Sequence, residues 1–511
     1  MDDPVLEKAN RVAVEVSPTR SAADGLRELA RLRPLQVLTL AALLATVVWC
    51  AMVLKLCVSD LDLWWHLKVG DWIFEHHSLP HTGIFSRTAA NRPWIAYSWG
   101  YEALLSRAYN WFGLMGMGLF GVILTLAVAY TMFWMLRRLS GRFWIACLLG
   151  GVACWVFLFT LMPRPVFFSM VLFMVTLTLI LEAQRQGRVQ TLYWLPLIFV
   201  LWANLHIQFV YGLFLVGLLF GVSLLQRAAA SLGIEPDWLA QSALPAQPQA
   251  AVFAACVIAS CMGPYSYHLY QVAYEYSKAQ VPYRMIMELQ SINFRLASHY
   301  VQLLLTAAGF FAVARQKRVN PFKLALLTIA SVVAYRTARD SWFICIPAAA
   351  CIADSLREKP ERDPAERWYE SLGVFAAVAL LGLLLARNTD FNTRGLEAAV
   401  GSRFPVDAVN FLRQHPAPGP LYNNLDWGGF LMWYMPERPV AIDGRGDLYG
   451  DQLDERFFMT EQGFHYESDP YLNEAGTVIL QQRVALASIL KSDPRFRVAY
   501  QDPIAIVFVR Q

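Results

Sequence analysis

Apolar residues run through this chain in long blocks separated by short polar breaks. Blocks of about 15 to 23 residues cover 35–57, 113–136, 143–162, 167–182, 191–208, 209–226, 249–263, 300–314, 320–335, 342–356 and 370–386. Runs of that length predict transmembrane helices, about eleven in all. The first 34 residues are polar and mixed in charge, without a signal-peptide pattern, and read as a cytoplasmic N-terminal segment 1–34. The stretch 58–112 is too polar to span. From Leu63 to His77, Trp65, Val69, Trp72 and Ile73 recur at helical spacing while Lys68, Asp71 and Glu75 take another face. That pattern predicts an amphipathic helix lying in the interface. A turn-rich loop follows, and Ser98 is placed to cap a second interfacial helix. After the last block, 387–511 reads as a small α/β soluble domain. PVDAVNFLRQH and QRVALASILKS are helical in period, PLYNN and PVAID are strand-like, and RVAYQD with IAIVFVR forms a terminal hairpin.

Composition turns these blocks into a class. Of 511 residues, 56% are apolar, 14% aromatic and only 16% charged, more apolar surface than one soluble core can hide. The chain is therefore expected to be an all-α polytopic membrane protein whose transmembrane domain covers 35–386. The net charge of +4 carries no nucleic-acid signature. Charge placement says more than the sum. Arg137, Arg138 and Arg142, then Arg185 and Arg188, then Arg315, Lys317, Arg318 and Lys323, then Arg357, Lys359, Arg362 and Arg367 occupy alternate loops. By the positive-inside rule those loops are cytoplasmic, together with Lys8, Arg11, Arg20, Arg27, Arg31 and Arg33 of the N-terminal segment. The expected location is the plasma (inner) membrane, multi-pass, with the C-terminal domain extracytoplasmic. The eight cysteines fall in or beside apolar blocks and suggest neither a disulfide framework nor a zinc site.

The opposite loops hold the polar chemistry. In SDLDLWWH, Asp60 and Asp62 follow the first helix, with His66 one turn on. At a helix start both carboxylates can turn toward one ligand, as a general base for an acceptor hydroxyl or as holders of a divalent cation against a phosphate. Asp62 is equally placed to cap the following helix. Arg164, in a two-proline turn, can clamp a phosphate or snorkel. Asn204 and His206 fall at an outer turn, lining a wet cavity or satisfying broken backbone. Arg336, Arg339 and Asp340 put basic charge in a loop that should be outside, which favours an anionic ligand. Tyrosines 265, 267, 270, 274 and 276 form either a wall for sugar stacking or an interfacial belt. In the tail, Asp426, Asp443, Arg445 and Asp447 sit among glycines, as capped turns or a polar-ligand site.

The block DLDLWWHLKVGDWIFEHHSLPHTGIFSRTAANRPWIAYSW, the RP at an outer helix end, the WANLH turn and the tail's LDWGGF and AIDGR together resemble bacterial polytopic proteins grouped with the GT-C glycosyltransferases. The resemblance runs from about Leu35 to the C-terminus, with a layout similar to protein mannosyltransferases and aminoarabinose transferases. It implies an enzyme that moves a sugar from a polyprenyl-phosphate donor in the bilayer to a glycan, lipid or protein acceptor outside, by an inverting displacement. It implies catalytic roles for Asp60 and Asp62, with a divalent metal cation held by them as a further expectation, and substrate-binding roles for His66, Arg164, Asn204, His206, Arg336 and Arg339. The chain departs from the mannosyltransferase pattern in having Asp-Leu-Asp where that family has an Asp-Glu pair. A transporter or flippase for a lipid-linked or anionic substrate, and a non-catalytic assembly protein, are the competing classes. Against the first stands the absence of any internal repeat in the sequence.

Overall fold

A computed structural model of the chain describes residues 33–158, 162–357 and 368–511. Most of the N-terminal segment, including Lys8, Arg11, Arg20, Arg27 and Arg31, lies outside the described residues, as do Lys359, Arg362 and Arg367. Helices form over all eleven apolar blocks. Among the described residues, five helices are long and apolar enough to cross a membrane unaided: Arg33–Ser59, Trp99–Ser140, Val166–Gln186, Phe209–Ser231 and Ala297–Ala314. A sixth counts if Leu372–Asn388 and Thr393–Arg403, bent by 60°, form one span. The remaining apolar helices are shorter than these. Phe143–Phe157, Ala246–Ser260 and Ser341–Ser355 have 15 residues each, which at 1.5 Å per residue reach about 22 Å, short of the ~30 Å hydrocarbon layer. The chain is a multi-pass membrane protein in which long and short helices pack together. Ser341–Ser355 is buried from Ser341 to Ala353 and packs against Ala297–Ala314 and Pro321–Arg336.

The second interfacial helix is not a separate element. It runs into the following span as one 42-residue helix, Trp99–Ser140, broken only where Gly113 takes φ 59. Ser98 stands at its start but makes no capping bond.

One end of the bundle is tied by ions. Arg138 grips Glu182 through two nitrogens, Arg185 reaches Glu182 at 3.5 Å and Asp354 at 3.7 Å, and Lys323 pairs with Asp354. These residues lie in or beside the basic loops read as cytoplasmic.

At the other end the C-terminal region is docked onto the first polar loop. Trp64, fully buried, enters a nest of Phe404, Phe430 and Tyr434 with ring centroids 5.5 to 5.7 Å away, all edge-on, the arrangement aromatic quadrupoles favour. The helix Leu425–Tyr434 lies against Leu63–His76, whose residues from Leu63 to Leu67 are buried. The C-terminal sheet has the order β1-β2-β4-β3, with β1 (Leu421–Asn423) parallel to β2 (Thr477–Gln481). β4 (Ala505–Arg510) is antiparallel to β2 and to β3 (Phe496–Gln501), so the expected hairpin is present. The strand expected at PVAID does not join the sheet. Its backbone instead pairs with the first polar loop through Arg87 N to Val440 O at 2.8 Å, and Asn423 holds it from behind through Ala441 N and Ile442 O.

Helices Leu63–His76 and Trp99–Ser140 meet at Gly70, where a Cβ would lie 2.0 Å from the carbonyl oxygen of Glu102. Because that obstacle is backbone, Gly70→Ala must push the helices apart, and overpacking of this kind destabilises by about 1–3 kcal/mol. A lowered melting temperature of the detergent-solubilised protein is the expected result; an unchanged one contradicts the close approach.

Candidate active site

The acidic motif owes its geometry to a change of backbone conformation. After the first helix, Lys55 turns left-handed at φ 45 and the short helix Leu56–Ser59 follows. Asp60 is then extended at φ −75, ψ 133, and Asp62 is helical at φ −83, ψ −22. Carboxylates two apart in a strand would diverge; here both face Arg164. Arg164 binds Asp60 by its edge, Nε to Oδ2 at 2.8 Å and Nη2 to Oδ1 at 2.6 Å. Its Nη1 reaches Asp62 Oδ2 at 2.8 Å and Glu288 Oε1 at 3.2 Å. Arg339 joins from the far side, Nη2 to Glu288 Oε1 at 3.2 Å. The turn carrying Arg164 lies between Pro163 and Pro165, and the buried Tyr101 hydroxyl donates to Pro163 O at 2.9 Å. Asp62 occupies the cap position of Leu63–His76 yet makes no capping bond; its own N–H donates to Asp60 Oδ1 at 3.2 Å.

The cluster is wedged between burial and charge. Burial pushes Asp62 up to about 6, with Asp60 adding to the rise and Arg164 opposing it. Asp60 is 1% exposed, whereas Asp62 keeps 23% of its side-chain surface, so Asp62 is the carboxylate open to an incoming group. Burial, reinforced by Arg164, His206 and Arg339, drives His66 well below the usual imidazole range. Burial and then Arg339 bring His206 down to about 3. Both rings are neutral at neutral pH.

The sequence-derived residues divide into groups. Asp60, Asp62, Arg164 and Arg339 come together in one network. His66 lies behind it, its Nδ1 3.1 Å from Glu102 Oε1 and its ring 3.5 Å from that of Trp65. His206 shares a hydrogen bond of 2.8 Å with Ser169. Asn204 is used structurally: it accepts from Trp99 Nε1 at 3.0 Å and donates to the carbonyls of Val200 and Met262. Arg336 is exposed, over the ring of Tyr283 at 5.5 Å, and makes no ion pair among the described residues. Of the tyrosine wall, Tyr265 holds Pro80 O at 2.8 Å and Tyr276 meets Tyr97 at 2.9 Å, while Tyr267 and Tyr274 are exposed.

A divalent cation between Asp60 and Asp62 does not fit this arrangement. The Arg164 guanidinium binds both carboxylates, and among the described residues no group of three or more His, Cys, Asp or Glu side chains is placed to hold an ion.

Sequence reading missed Glu288, and it named Asp443, Arg445 and Asp447 of the tail without placing them beside the acidic motif. Glu288, which joins the two arginines, lies in a loop that drew notice only for its tyrosines. The tail's turn at 443–447 enters the same neighbourhood: Asp443 and Arg445 form a fully buried pair at 2.8 Å, and Asp447 accepts from Trp94 Nε1 at 3.0 Å. A run of Asp, Gly and Arg gives no sign of what it packs against.

These features, a polytopic helical bundle with an acidic turn after its first helix and a C-terminal region seated on the first loop, make up a fold that the chain shares with a solved membrane oligosaccharyltransferase. The chain aligns with the archaeal oligosaccharyltransferase AglB from Archaeoglobus fulgidus, solved with an inhibitory peptide and a dolichol-phosphate, at a TM-score of 0.54 and 10% identity over 87% of this chain and 69% of that one. ArnT from Cupriavidus metallidurans, solved with undecaprenyl phosphate, aligns at a TM-score of 0.46 and 16% identity over 92% of this chain and 97% of that one. At such identities the likeness is one of fold. The sequence matches no protein-family model and no curated protein.

Proposed function

We propose that the chain is a membrane glycosyltransferase that moves a sugar from a polyprenyl-phosphate donor to an acceptor on the outer face of the membrane. The observation that carries this reading is the Arg164 guanidinium bound by Asp60, Asp62 and Glu288, with Arg339 on the last of these. Acids able to take a proton stand beside cations able to meet a phosphate. The fold shared with an oligosaccharyltransferase solved with a dolichol-phosphate supports it. So does the position of the cluster at the end of the bundle away from the basic loops, which by the positive-inside rule is the outer end.

In this mechanism the donor's phosphate meets Arg339 and the exposed Arg336, whose charges stabilise the leaving phosphate as the anomeric carbon turns oxocarbenium-like. Asp62 accepts the proton of the attacking group from the opposite face, so the anomeric centre inverts. Asp60 holds Arg164, which in turn fixes Asp62. A transporter is less well supported, because the ionisable groups gather at the two bundle ends instead of mid-depth.

The test is the pH profile of sugar transfer in membranes supplied with a panel of polyprenyl-phosphate sugars. A base must be deprotonated to act. With Asp62 at about 6, transfer is expected to fall about tenfold for each pH unit below that value and to level off above it. A profile flat down to about pH 4, the ordinary carboxylate range, contradicts Asp62 as the base. No transfer from any donor in the panel removes the transferase reading itself.

A further inference from the structure

Two kinds of basic residue gather at the end of the bundle that bears the basic loops. Arg138, Arg185 and Lys323 have their charge met by Glu182 and Asp354. Arg315, Lys317 and Arg318 are exposed and make no ion pair among the described residues. Only the second set has charge to offer a ligand, and it borders a groove. The loop 315–320 joins the helix Ala297–Ala314 to Pro321–Arg336. It is strapped to an earlier loop through Val319 N to Trp238 O at 2.8 Å and Ala240 N to Val319 O at 2.9 Å. Beside this strap lies a cavity of about 320 Å³ whose lining, all apolar or aromatic, includes Trp238, Phe310, Phe311, Ala314, Val319 and Leu324. Trp238 is 60% exposed and Phe311 63%, so the groove opens to the outside of the bundle and not into its core. Phe311 and Ala314 stand in the last turn of one helix and Leu324 in the first turn of the next. That is the level at which acyl chains give way to headgroups.

The charge is fixed at the rim of the groove. The Arg315 guanidinium lies 5.7 Å from the centroid of the Phe311 ring, a cation–π distance. Lys317 and Arg318 follow in the loop between Ala314 and Val319, both of which line the groove. On the Trp238 side, Glu235 and Asp237 are exposed. Three cations against two carboxylates leave one positive charge in excess. We propose that this groove binds an anionic glycerophospholipid, with an acyl chain against Phe311 and Trp238 and the phosphate on Arg315, Lys317 and Arg318. Only an amphiphile satisfies both halves of the site, which a free phosphate does not. The planar forks of the arginines suit two phosphate oxygens at once, and the excess charge favours a headgroup with one net negative charge over a zwitterionic one. The groove lies at the opposite end of the bundle from Asp62 and Arg164, so its occupant is separate from the reactants of the proposed transfer.

The experiment is native mass spectrometry of the full-length protein in detergent, titrated with phosphatidylglycerol or with phosphatidylethanolamine of the same acyl chains. The first phosphatidylglycerol is expected to bind more tightly than the first phosphatidylethanolamine, and the difference should shrink as salt rises. A basic residue beside a lipid headgroup is worth about fivefold in affinity. Replacing Arg315, Lys317 and Arg318 together by Gln should therefore weaken phosphatidylglycerol about a hundredfold and bring the two lipids level. Ala314→Phe leaves every charge in place and fills the groove, and should weaken both lipids about tenfold, the worth of two buried methylenes. Undecaprenyl phosphate added at equal concentration should leave the phosphatidylglycerol in place; its displacement gives the groove to the polyprenyl carrier and overturns the proposal. Equal affinity of the parent for the two phospholipids means annular lipid only and overturns it as well. So does a preference for phosphatidylglycerol that survives both the triple substitution and Ala314→Phe.

Discussion

Asp62→Asn is expected to lower sugar transfer by about three orders of magnitude while the protein still inserts and folds. A positioned general base contributes about 10²–10⁴ in rate, and an amide of the same shape cannot take a proton. The variant keeps an oxygen for Arg164 Nη1, now 2.8 Å from Asp62 Oδ2. The two contacts between Arg164 and Asp60 are untouched, so the turn retains its anchor. The measurement is initial transfer rate beside a melting curve in detergent. Full activity, or a loss matched by unfolding, removes the assignment. Asp60→Asn should behave differently, losing activity together with stability, because its carboxylate is buried and is the main counter-charge of Arg164.

Replacing Arg164 by methionine is expected to be the most damaging single change in the cluster. Three carboxylates then share one end of the bundle with Arg339 as the remaining cation in the network, and breaking a buried ion pair typically costs about 3–5 kcal/mol. Arg164→Lys returns the charge but not the fork that holds both oxygens of Asp60. It should recover part of the melting temperature and little of the transfer. If Arg164→Met melts where the parent does, the ion cluster is not what holds the Asp60 turn.

Much of this could be read from the chain. The apolar blocks located every helix of the bundle, because helix formation in lipid depends on local composition that a sequence displays directly. The pairing of Asp60 with Asp62 at a helix start was legible for the same reason, since the geometry of two residues is local. Span number was less so. A 15-residue apolar run looks like a short span, yet Ser341–Ser355 is a helix walled in by its neighbours. PVAID alternates like a strand, but its backbone is taken by Asn423 and the first loop. Glu288 and Gly444 were invisible because their importance lies in what stands opposite them, Arg164 at 124 positions from Glu288 and Asp62 at more than 300 from Gly444.

The ion pairs that tie Arg138, Glu182, Arg185, Lys323 and Asp354 together sit at one end of helices whose other ends reach toward Arg164 and Arg339. Val166–Gln186 has 21 residues and so is about 31 Å long. This rod is tied at both ends, at its base through Glu182 and just before its start through Arg164 to Asp60, so it cannot tilt without breaking charged contacts at one end or the other.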